Sequence, residues 1–337
     1  MKNLKFTILL VLLTSCWTYN KPKNQTPNEN VPPNVAKIFV DKNGDFYPEN
    51  WGSLSYYPLR AQGNNNVGSI LTNAESNVLM NIKEQSADKE KIFILVHGYN
   101  NDEFDAKKNY KKIQEMVMND SDKNLFTEFH WDGLVSKNLG SAKIWFNAVG
   151  YSQMAGQFGL RKVLNQIHDK DVYLISHSRG ASVILSALSN PPYQEKFASD
   201  TNKFYNVDVW KADPLLENGN RITTILLAPA VGEIDFTVPN DHHAYRQFTN
   251  QLKVIHFTVN NSDKTLDKYI GMQNILNPTT LGSNDKAYLK LKPYYSMMKM
   301  TDITGLNSHN FTDYIMHDSF RKILNDYGVQ TVSSKSN

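Results

Sequence analysis

The sequence predicts an α/β fold, and three observations carry that prediction. Apolar runs of strand length alternate with longer segments of helical spacing over most of the 337 residues, of which 40% are hydrophobic. One run, residues 172–175, leads straight into a turn of mainly small residues, 176–180, which reads Ser-His-Ser-Arg-Gly. Another run, residues 92–96, leads into His97–Gly98. Strands that stop at such turns before a helix are typical of sheets covered by helices.

Residues 1–15 are predicted to be a signal peptide rather than part of the fold. Two lysines precede a short apolar stretch, and residues 13–16 read Leu-Thr-Ser-Cys, which resembles the bacterial lipobox. That resemblance implies cleavage before Cys16, the only cysteine, and attachment of a lipid such as palmitate to it. We therefore expect a lipoprotein of the bacterial cell envelope, extracytoplasmic and anchored to a membrane. Residues 16–36, rich in Asn, Lys and Pro, would form a flexible tether.

Residues 37–330 are predicted to form a single domain, because a chain of this length can bury one substantial core. Residues 37–75 have the character of β-structure, with a hairpin signal at Asn43–Gly44. Residues 190–220 are an aromatic-rich insertion that could cover the site as a cap. The remaining expected helices are 103–118, 144–167 and 311–325, and the remaining strands are 125–131, 221–229, 252–259 and 295–303.

Ser178, at the tip of the small-residue turn, is the leading candidate for a nucleophile. Small neighbours allow a strand end to press against a helix start in such an elbow. The amides and the dipole at that helix start would point toward an oxygen that approaches Ser178. A serine hydroxyl is a weak nucleophile at neutral pH, so it needs a histidine to take its proton. A carboxylate is then needed to orient that histidine.

Residues 90–325 resemble the alpha/beta-hydrolase superfamily, most closely its serine esterase/lipase-like branch with His-Gly-Tyr-Asn and Ser-His-Ser-x-Gly motifs. The resemblance implies a doubly wound, mostly parallel sheet with the nucleophile elbow above it, and the chain order Ser, Asp, His. Asp263 follows a predicted strand in a polar turn and matches the position of the acid. His309 lies in the loop after the last strand and matches the position of the base.

The same resemblance implies an oxyanion hole built from two backbone N–H groups. One belongs to Arg179, next to the nucleophile. The other belongs to Tyr99, in the loop that follows the predicted strand at residues 92–96. Glycine in that loop lets the backbone come close to the reacting oxygen. The residues expected to shape the loop are His97, Gly98 and Asn100.

The acid and the base each have a rival in the sequence. The family often carries Pro-Asp after the sixth strand, where this chain has Pro-Ala. Glu233 and Asp235 follow closely, so either could take the place of Asp263. His317 is the rival of His309, although it falls inside a predicted helix.

The composition and charge of the sequence indicate a small-molecule substrate. The net charge of +3 falls to +1 without the two lysines of the signal peptide, and no basic stripe with interleaved aromatics occurs, so nucleic acid is not an expected partner. The adjacent His242 and His243 would point in different directions on a strand, and no third ligand is evident in the sequence, so no metal site is expected. No other cofactor is expected. We expect a serine hydrolase for a small acyl compound, an ester before a thioester or amide. The alternative is a catalytically idle alpha/beta-hydrolase fold that serves as a binding or scaffold lipoprotein.

Overall fold

A computed structural model describes residues 17–18, 32–48, 60, 67–117, 122–136, 140–238, 241–267 and 279–332. The predicted signal peptide, Cys16 and most of the predicted tether lie outside the described residues. The side chains of His242 and His243 lie outside them as well.

Seven strands form one sheet, and every pairing between neighbours in it is parallel. The strands within the described residues are β1 (Trp17–Thr18), β2 (Val35–Phe39), β3 (Lys91–Val96), β4 (Asn124–His130), β5 (Val135–Ser136), β6 (Asp171–His177), β7 (Arg221–Leu227), β8 (Thr237–Val238), β9 (Asp241–Tyr245), β10 (Leu252–Val259) and β11 (Met298–Asp302). The sheet order is β11-β10-β7-β6-β3-β4-β2, and β1–β5 and β8–β9 pair separately as antiparallel ribbons. The predicted mostly parallel sheet is confirmed.

Helices cover both faces of this sheet, as the predicted doubly wound fold requires. The described helices are α1 (Val67–Ser86), α2 (Glu103–Met116), α3 (Gly140–Met154), a π-helix (Ala155–Leu160), α4 (Arg161–Leu164), α5 (Gly180–Leu188), α6 (Glu195–Tyr205), a 3-10 helix (Glu233–Phe236), α7 (Lys264–Asp267), α8 (Thr280–Ser283), α9 (Lys286–Leu291), α10 (Phe311–Met316) and α11 (Asp318–Asp326). One core lies between the sheet and α1, α3, α4 and α5, and the other lies between the sheet and α2, α10 and α11.

The central strands are apolar along their whole length because both of their faces are buried. In β3, Ile92 and Ile94 belong to the core on the α5 side, whereas Phe93 and Leu95 belong to the core on the α2 side. Successive side chains of a strand point to opposite faces, so a single apolar run supplies both cores.

The chain reverses its direction across the sheet at β3. β4 and β2 lie on one side of β3, and β6, β7, β10 and β11 lie on the other. The carboxyl ends of β3 and β6 therefore meet at the point where the strand order reverses, which is where open α/β sheets bind their ligands. The loop 97–101 and Ser178 follow these two strands directly.

The N-terminal part of the domain differs from the sequence-based expectation. Residues 37–75 are predicted as β-structure, but α1 already begins at Val67. The prediction is wrong there because Ala74, Val78 and Ile82 recur at helical spacing and pack inward, a period that polar neighbours obscure. The hairpin signal corresponds to an isolated antiparallel bridge between Val40 and Phe46.

Two predicted helices contain interruptions. The helix expected over 144–167 corresponds to three consecutive segments, α3, the π-helix and α4, so the π-helix interrupts the regular α-helical geometry. A Cβ on Gly156 would lie 2.2 Å from the Val183 carbonyl oxygen, so glycine permits this close approach to α5. The helix expected over 311–325 splits at His317, whose extended backbone ends α10 and whose side chain accepts a hydrogen bond from the Ser319 N–H at the start of α11.

Residues 190–220, the expected cap, pack on the α3 side of the molecule. The Tyr193 hydroxyl donates to Gln157 at 2.6 Å, and the Phe197 ring lies against the Cα of Gly150. Arg161 ties the end of the segment to α4 through the Asp213 carbonyl, at 3.0 Å. These described contacts use the aromatic side chains for packing on α3 and the π-helix, and a covering of Ser178 stays a prediction.

The start of the described chain also contacts the domain. Trp17–Thr18 pair with Val135–Ser136, which follow the carboxyl end of β4. No helix in the described ranges is both long enough and apolar enough to span a membrane.

Candidate active site

Ser178 occupies a strained turn between β6 and α5. Its φ angle of +52° lies in a region that L side chains rarely adopt. Its N–H donates to the Leu227 carbonyl at 2.9 Å, and its carbonyl accepts from the Ala230 N–H at 3.1 Å, so the end of β7 holds the turn. A Cβ on Gly180 would lie 2.5 Å from the His97 carbonyl oxygen, which explains the glycine at the end of the motif.

Side chains from three loops meet at the elbow. His309 Nε2 lies 3.0 Å from Ser178 Oγ, and His309 Nδ1 lies 2.7 Å from Asp263 Oδ2. The Asp263 side chain is fully buried, whereas 16% of the His309 side chain stays exposed. The structure thus brings together the three residues that the sequence predicts for the catalytic roles.

The carboxylate fixes the proton positions in this chain of contacts. An ionised carboxylate only accepts hydrogen bonds, so a bond between Asp263 and His309 requires the proton on Nδ1. His309 Nε2 is then the acceptor and faces the Ser178 hydroxyl. This is the orientation that a general base needs in order to take the serine proton.

Asp263 is held by four donors. Its Oδ1 accepts from the backbone N–H groups of Thr265 at 3.0 Å and Leu266 at 3.3 Å, in the first turn of α7. Its Oδ2 accepts from the Tyr314 hydroxyl at 2.8 Å as well as from His309. The two backbone donors fix the carboxylate, and the second oxygen is left to two side chains.

His309 rests on a layer of aromatic rings below the site. The ring of His177, the residue before the nucleophile, lies 4.9 Å from the His309 ring and stacks on Phe311 at 4.8 Å. Burial, and then the nearness of His309, holds the pKa of His177 well below its usual range. His177 is therefore neutral, and it positions His309 without adding charge to the site.

The loop after β3 is fixed by a second buried imidazole. His97 Nδ1 lies 2.7 Å from the Gly98 carbonyl oxygen, and its Nε2 accepts from the Trp131 N–H at 3.2 Å. Its backbone carbonyl also accepts from the Trp131 indole at 2.8 Å, and its N–H donates to the Tyr110 hydroxyl at 2.7 Å. Burial, with a smaller effect of nearby His130, lowers the pKa of His97 to about 3, so the imidazole is neutral.

Gly98 brings this loop into contact with the nucleophile. A Cβ on Gly98 would lie 2.9 Å from the Cβ of Ser178, so a larger residue would displace one of the two loops. Tyr99 follows and packs edge-on against Trp145 at 4.6 Å. Asn100 has a φ angle of +56°, and its N–H donates to the Gly133 carbonyl at 3.1 Å. The loop that carries the Tyr99 N–H is thus fixed next to Ser178.

The rival acids have other partners. Asp235 Oδ1 lies 3.2 Å from Nη2 of the buried Arg179, and its Oδ2 accepts from the Gly232 N–H at 2.9 Å. Arg179 also donates to the Ala230 carbonyl at 2.9 Å and to Ser152 at 3.2 Å. The pair therefore connects the residue after Ser178 to the segment that follows β7.

Glu233 and His317 lie away from the Ser178 hydroxyl as well. Glu233 accepts from the Tyr245 hydroxyl at 2.8 Å and from Lys290 at 2.6 Å. His317 caps α11, as described above. Within the described ranges, no three His, Cys, Asp or Glu side chains are grouped so that they could hold a metal ion.

Sequence reasoning missed three supporting residues: His177, Asn260 and Tyr314. His177 stood inside the quoted elbow motif, but the motif gave no role to its side chain. Asn260 and Tyr314 lie three residues before Asp263 and five residues after His309. Asn260 and Tyr314 can be recognised as neighbours of the triad only once the loops that carry Asp263 and His309 are known to be in contact.

A comparison with known protein families agrees with this fold. A family model described as "Alpha/beta hydrolase of unknown function (DUF900)" matches residues 72–321. The crystal structure of a Bacillus cereus carboxylesterase is similar, at 12% identity over 71% of this chain and 88% of that chain, with a TM-score of 0.34. An uncharacterized protein from Pseudomonas aeruginosa is similar at 12% identity over 67% of this chain and 41% of that chain, with a TM-score of 0.26. No curated protein matches the sequence.

Proposed function

The chain belongs to the alpha/beta-hydrolase family of unknown function whose model it matches over residues 72–321, and we propose that it is a serine hydrolase that cleaves carboxylic esters. One observation carries the proposal: a single imidazole, His309, lies within hydrogen-bond distance of both Ser178 Oγ and Asp263 Oδ2. A serine can be activated at neutral pH by such an arrangement.

In the proposed acylation step, Ser178 Oγ forms a bond to the ester carbonyl carbon while its proton passes to His309 Nε2. The tetrahedral intermediate then collapses, the bond to the alcohol oxygen breaks, and His309 returns the proton to that oxygen. Asp263 stays ionised and stabilises the imidazolium while it exists. Water repeats the same steps on the acyl-enzyme and releases the carboxylic acid.

The negative oxygen of the intermediate needs fixed donors, and we propose the backbone N–H groups of Tyr99 and Arg179 for this role. The contact of Gly98 with the Ser178 Cβ position and the buried bracing of Arg179 support it. Donors that are already in place avoid a reorganisation cost during the reaction, and loss of one such donor costs about 3 kcal/mol of barrier.

An uncharged or weakly charged ester is the substrate class that fits best. The net charge of the sequence is only +3, so the protein provides no strong field to gather a highly charged substrate. An alkoxide also leaves more readily than an amine, so ester cleavage demands less of the site than amide cleavage.

Hydrolysis of p-nitrophenyl esters with acyl chains of two to sixteen carbons tests the proposal. The wild type should turn over at least one ester, and Ser178→Ala should lose that turnover by about 10³-fold or more. Ser176→Ala is the matched control, because it removes a buried hydroxyl two residues away in the same motif. Activity in Ser178→Ala equal to that of the wild type would contradict the assignment. A folded wild type that is inert toward esters, thioesters and amides would favour a binding or scaffold role.

We also propose that Cys16 carries a lipid that anchors the protein to a bacterial membrane on its extracytoplasmic side. The lipobox-like sequence and the single cysteine support this. The wild type should sediment with membranes, and Cys16→Ser should become soluble. Wild type found only in the soluble fraction would contradict the proposal.

The pairing of β1 with β5 adds an orientation to this proposed anchor. Trp17 follows Cys16 directly and pairs with Ser136, three residues beyond Gly133, whose carbonyl accepts from Asn100 in the loop beside Ser178. A lipid at Cys16 would therefore hold the membrane toward the end of the sheet that carries the site. Thr18→Pro should weaken the pairing. It should reduce hydrolysis of an ester embedded in vesicles more than hydrolysis of a water-soluble ester, whereas equal effects would contradict this orientation.

A further inference from the structure

The triad acid has a side-chain donor besides His309. The Tyr314 hydroxyl lies 2.8 Å from Asp263 Oδ2, the same oxygen that faces His309 Nδ1. Tyr314 belongs to α10, the helix that begins two residues after His309, and only 1% of it is exposed. One carboxylate oxygen therefore accepts hydrogen bonds from both a phenol and an imidazole.

Asn260 sets the direction of the phenol bond. Its Nδ2 lies 3.0 Å from the Tyr314 hydroxyl oxygen, and its Oδ1 accepts from the Ser262 N–H at 3.1 Å, which fixes the orientation of the amide. An amide nitrogen only donates, so the hydroxyl oxygen must accept from Asn260 and give its own proton to Asp263. The same Nδ2 also lies 2.6 Å from the Leu306 carbonyl oxygen in the loop that carries His309.

The phenol remains a donor across the working pH range. Burial, and then the negative charge of Asp263, raises the pKa of Tyr314 far above its ordinary value. The result is an ordered series of contacts that runs from Asn260 through Tyr314, Asp263 and His309 to Ser178.

We propose that Tyr314 is a positioning residue of the proposed hydrolase: its hydroxyl, oriented by Asn260, holds the Asp263 carboxylate against His309 and limits the charge that this carboxylate exerts on the imidazole. The inference rests on the proposed function and adds a fourth side chain to it. A hydrogen bond donated to a carboxylate draws negative charge toward the donor. Without it, Asp263 would stabilise the His309 imidazolium more strongly, and the base form of His309 would appear only at higher pH.

Other charged groups near His309 are few among the described residues. His177, from the elbow side, is neutral because it is buried. Asp313, on α10, hydrogen-bonds the Ser308 hydroxyl, and Asp302, at the end of β11, accepts from the Thr304 N–H at 2.8 Å. Lys264 follows Asp263 directly and is exposed, so solvent screens it. Asp263 is therefore the charge with the most direct effect on the imidazole.

Tyr314→Phe tests the inference because it removes one oxygen and leaves the ring in its core. The measurement is the pH profile of the rate at which a fluorophosphonate modifies the protein. We expect the midpoint of that profile to rise by about half a pH unit to one unit, with the high-pH plateau reduced less than about tenfold. Tyr173→Phe is the matched control, since its hydroxyl donates to the Tyr327 carbonyl at 2.9 Å, away from the site. Its midpoint should equal that of the wild type.

Asn260→Ala provides a second variant should Tyr314→Phe fold poorly. It releases the orientation of the phenol, so the midpoint should rise by less than in Tyr314→Phe, and the double variant should move no further than Tyr314→Phe alone. A fall in rate with an unmoved midpoint would show that Tyr314 only packs, and a midpoint that moves down would contradict the proposed effect of its hydroxyl on Asp263. Absence of Ser178-dependent labelling in the wild type would instead defeat the proposed hydrolase itself, so the two failures are distinguishable.

Discussion

Asp263 and Asp235 are both buried carboxylates that follow adjacent strands, β10 and β7, yet they contact different residues around the same elbow. Asp263 accepts from two backbone N–H groups and Asp235 accepts from one, and each carboxylate contacts one nitrogen-bearing side chain. Asp263 meets an imidazole whose second nitrogen faces Ser178, whereas Asp235 meets the guanidinium of Arg179. A guanidinium stays protonated and cannot take a proton from serine, so only the first carboxylate can support general-base chemistry.

The difference shows that burial and position do not assign a role to a carboxylate; its partner does. Asp263 contacts an imidazole, a group that is able to gain and lose a proton. Asp235 compensates a permanent charge that is 99% buried, and removing that compensation is costly. Substitutions at the two aspartates should therefore separate turnover from stability.

Asp263→Asn should produce the largest effect. The amide can still accept the backbone N–H groups of α7, so the fold should persist. The amide no longer holds the Nδ1 proton of His309 in place, however, and kcat/KM for the best ester should therefore fall by about 10⁴-fold. Steady-state kinetics with a thermal melt as control would measure both quantities. Turnover near that of the wild type would mean that another residue is the acid that orients His309.

Asp235→Asn should affect stability before turnover. It leaves the Arg179 guanidinium buried without a counter-ion, and the free energy of unfolding should fall by about 3 to 5 kcal/mol. Urea denaturation of this variant, together with turnover per folded molecule at low temperature, would test it. An unchanged denaturation midpoint combined with abolished turnover would reverse the roles of the two aspartates.

The buried imidazole of His97 should make the free energy of unfolding depend on pH. In the unfolded chain a histidine binds its proton near pH 6.5, whereas folded His97 binds it only near pH 3. The free energy of unfolding should therefore fall by about 1.4 kcal/mol for each pH unit below 6.5 on account of this residue.

His97→Gln should reduce that pH dependence, because glutamine offers one donor and one acceptor but does not titrate. Urea denaturation at pH 7, 6 and 5 measures the slope in both proteins. His256, whose pKa burial lowers to about 4, provides a background slope that both share. Equal slopes in wild type and variant would mean that folding does not lower the pKa of His97.

Glu233→Gln should have the smallest effect. Glu233 lies two residues from Asp235, but its partner Lys290 is 62% exposed, and such pairs contribute at most about 1 kcal/mol. Urea denaturation beside Asp235→Asn makes the comparison direct. A loss as large as that of Asp235→Asn would show that burial of the partner is not what distinguishes the two.

The sequence predicted the sheet, the elbow and the residues that meet at it, because these depend on local signals. Continuous apolar runs identify strands buried on both faces, and a strained turn needs small residues that a motif preserves. The contacts of Asp235 with Arg179 and of Tyr314 with Asp263 could not be predicted in this way. They depend on which loops touch across the sheet, and the sequence spacing between Arg179 and Asp235 carries no trace of that contact.

Site mapping of a fluorophosphonate adduct tests whether His309 activates Ser178. After labelling at pH 7.5, digestion and mass spectrometry should find the added mass on Ser178 in the wild type and in folded Asp235→Asn. His309→Ala should label at least about 10³-fold more slowly at the same residue. An adduct on another residue would mean that Ser178 is not the nucleophile, and labelling of Ser178 at an unchanged rate in His309→Ala would mean that His309 does not activate it.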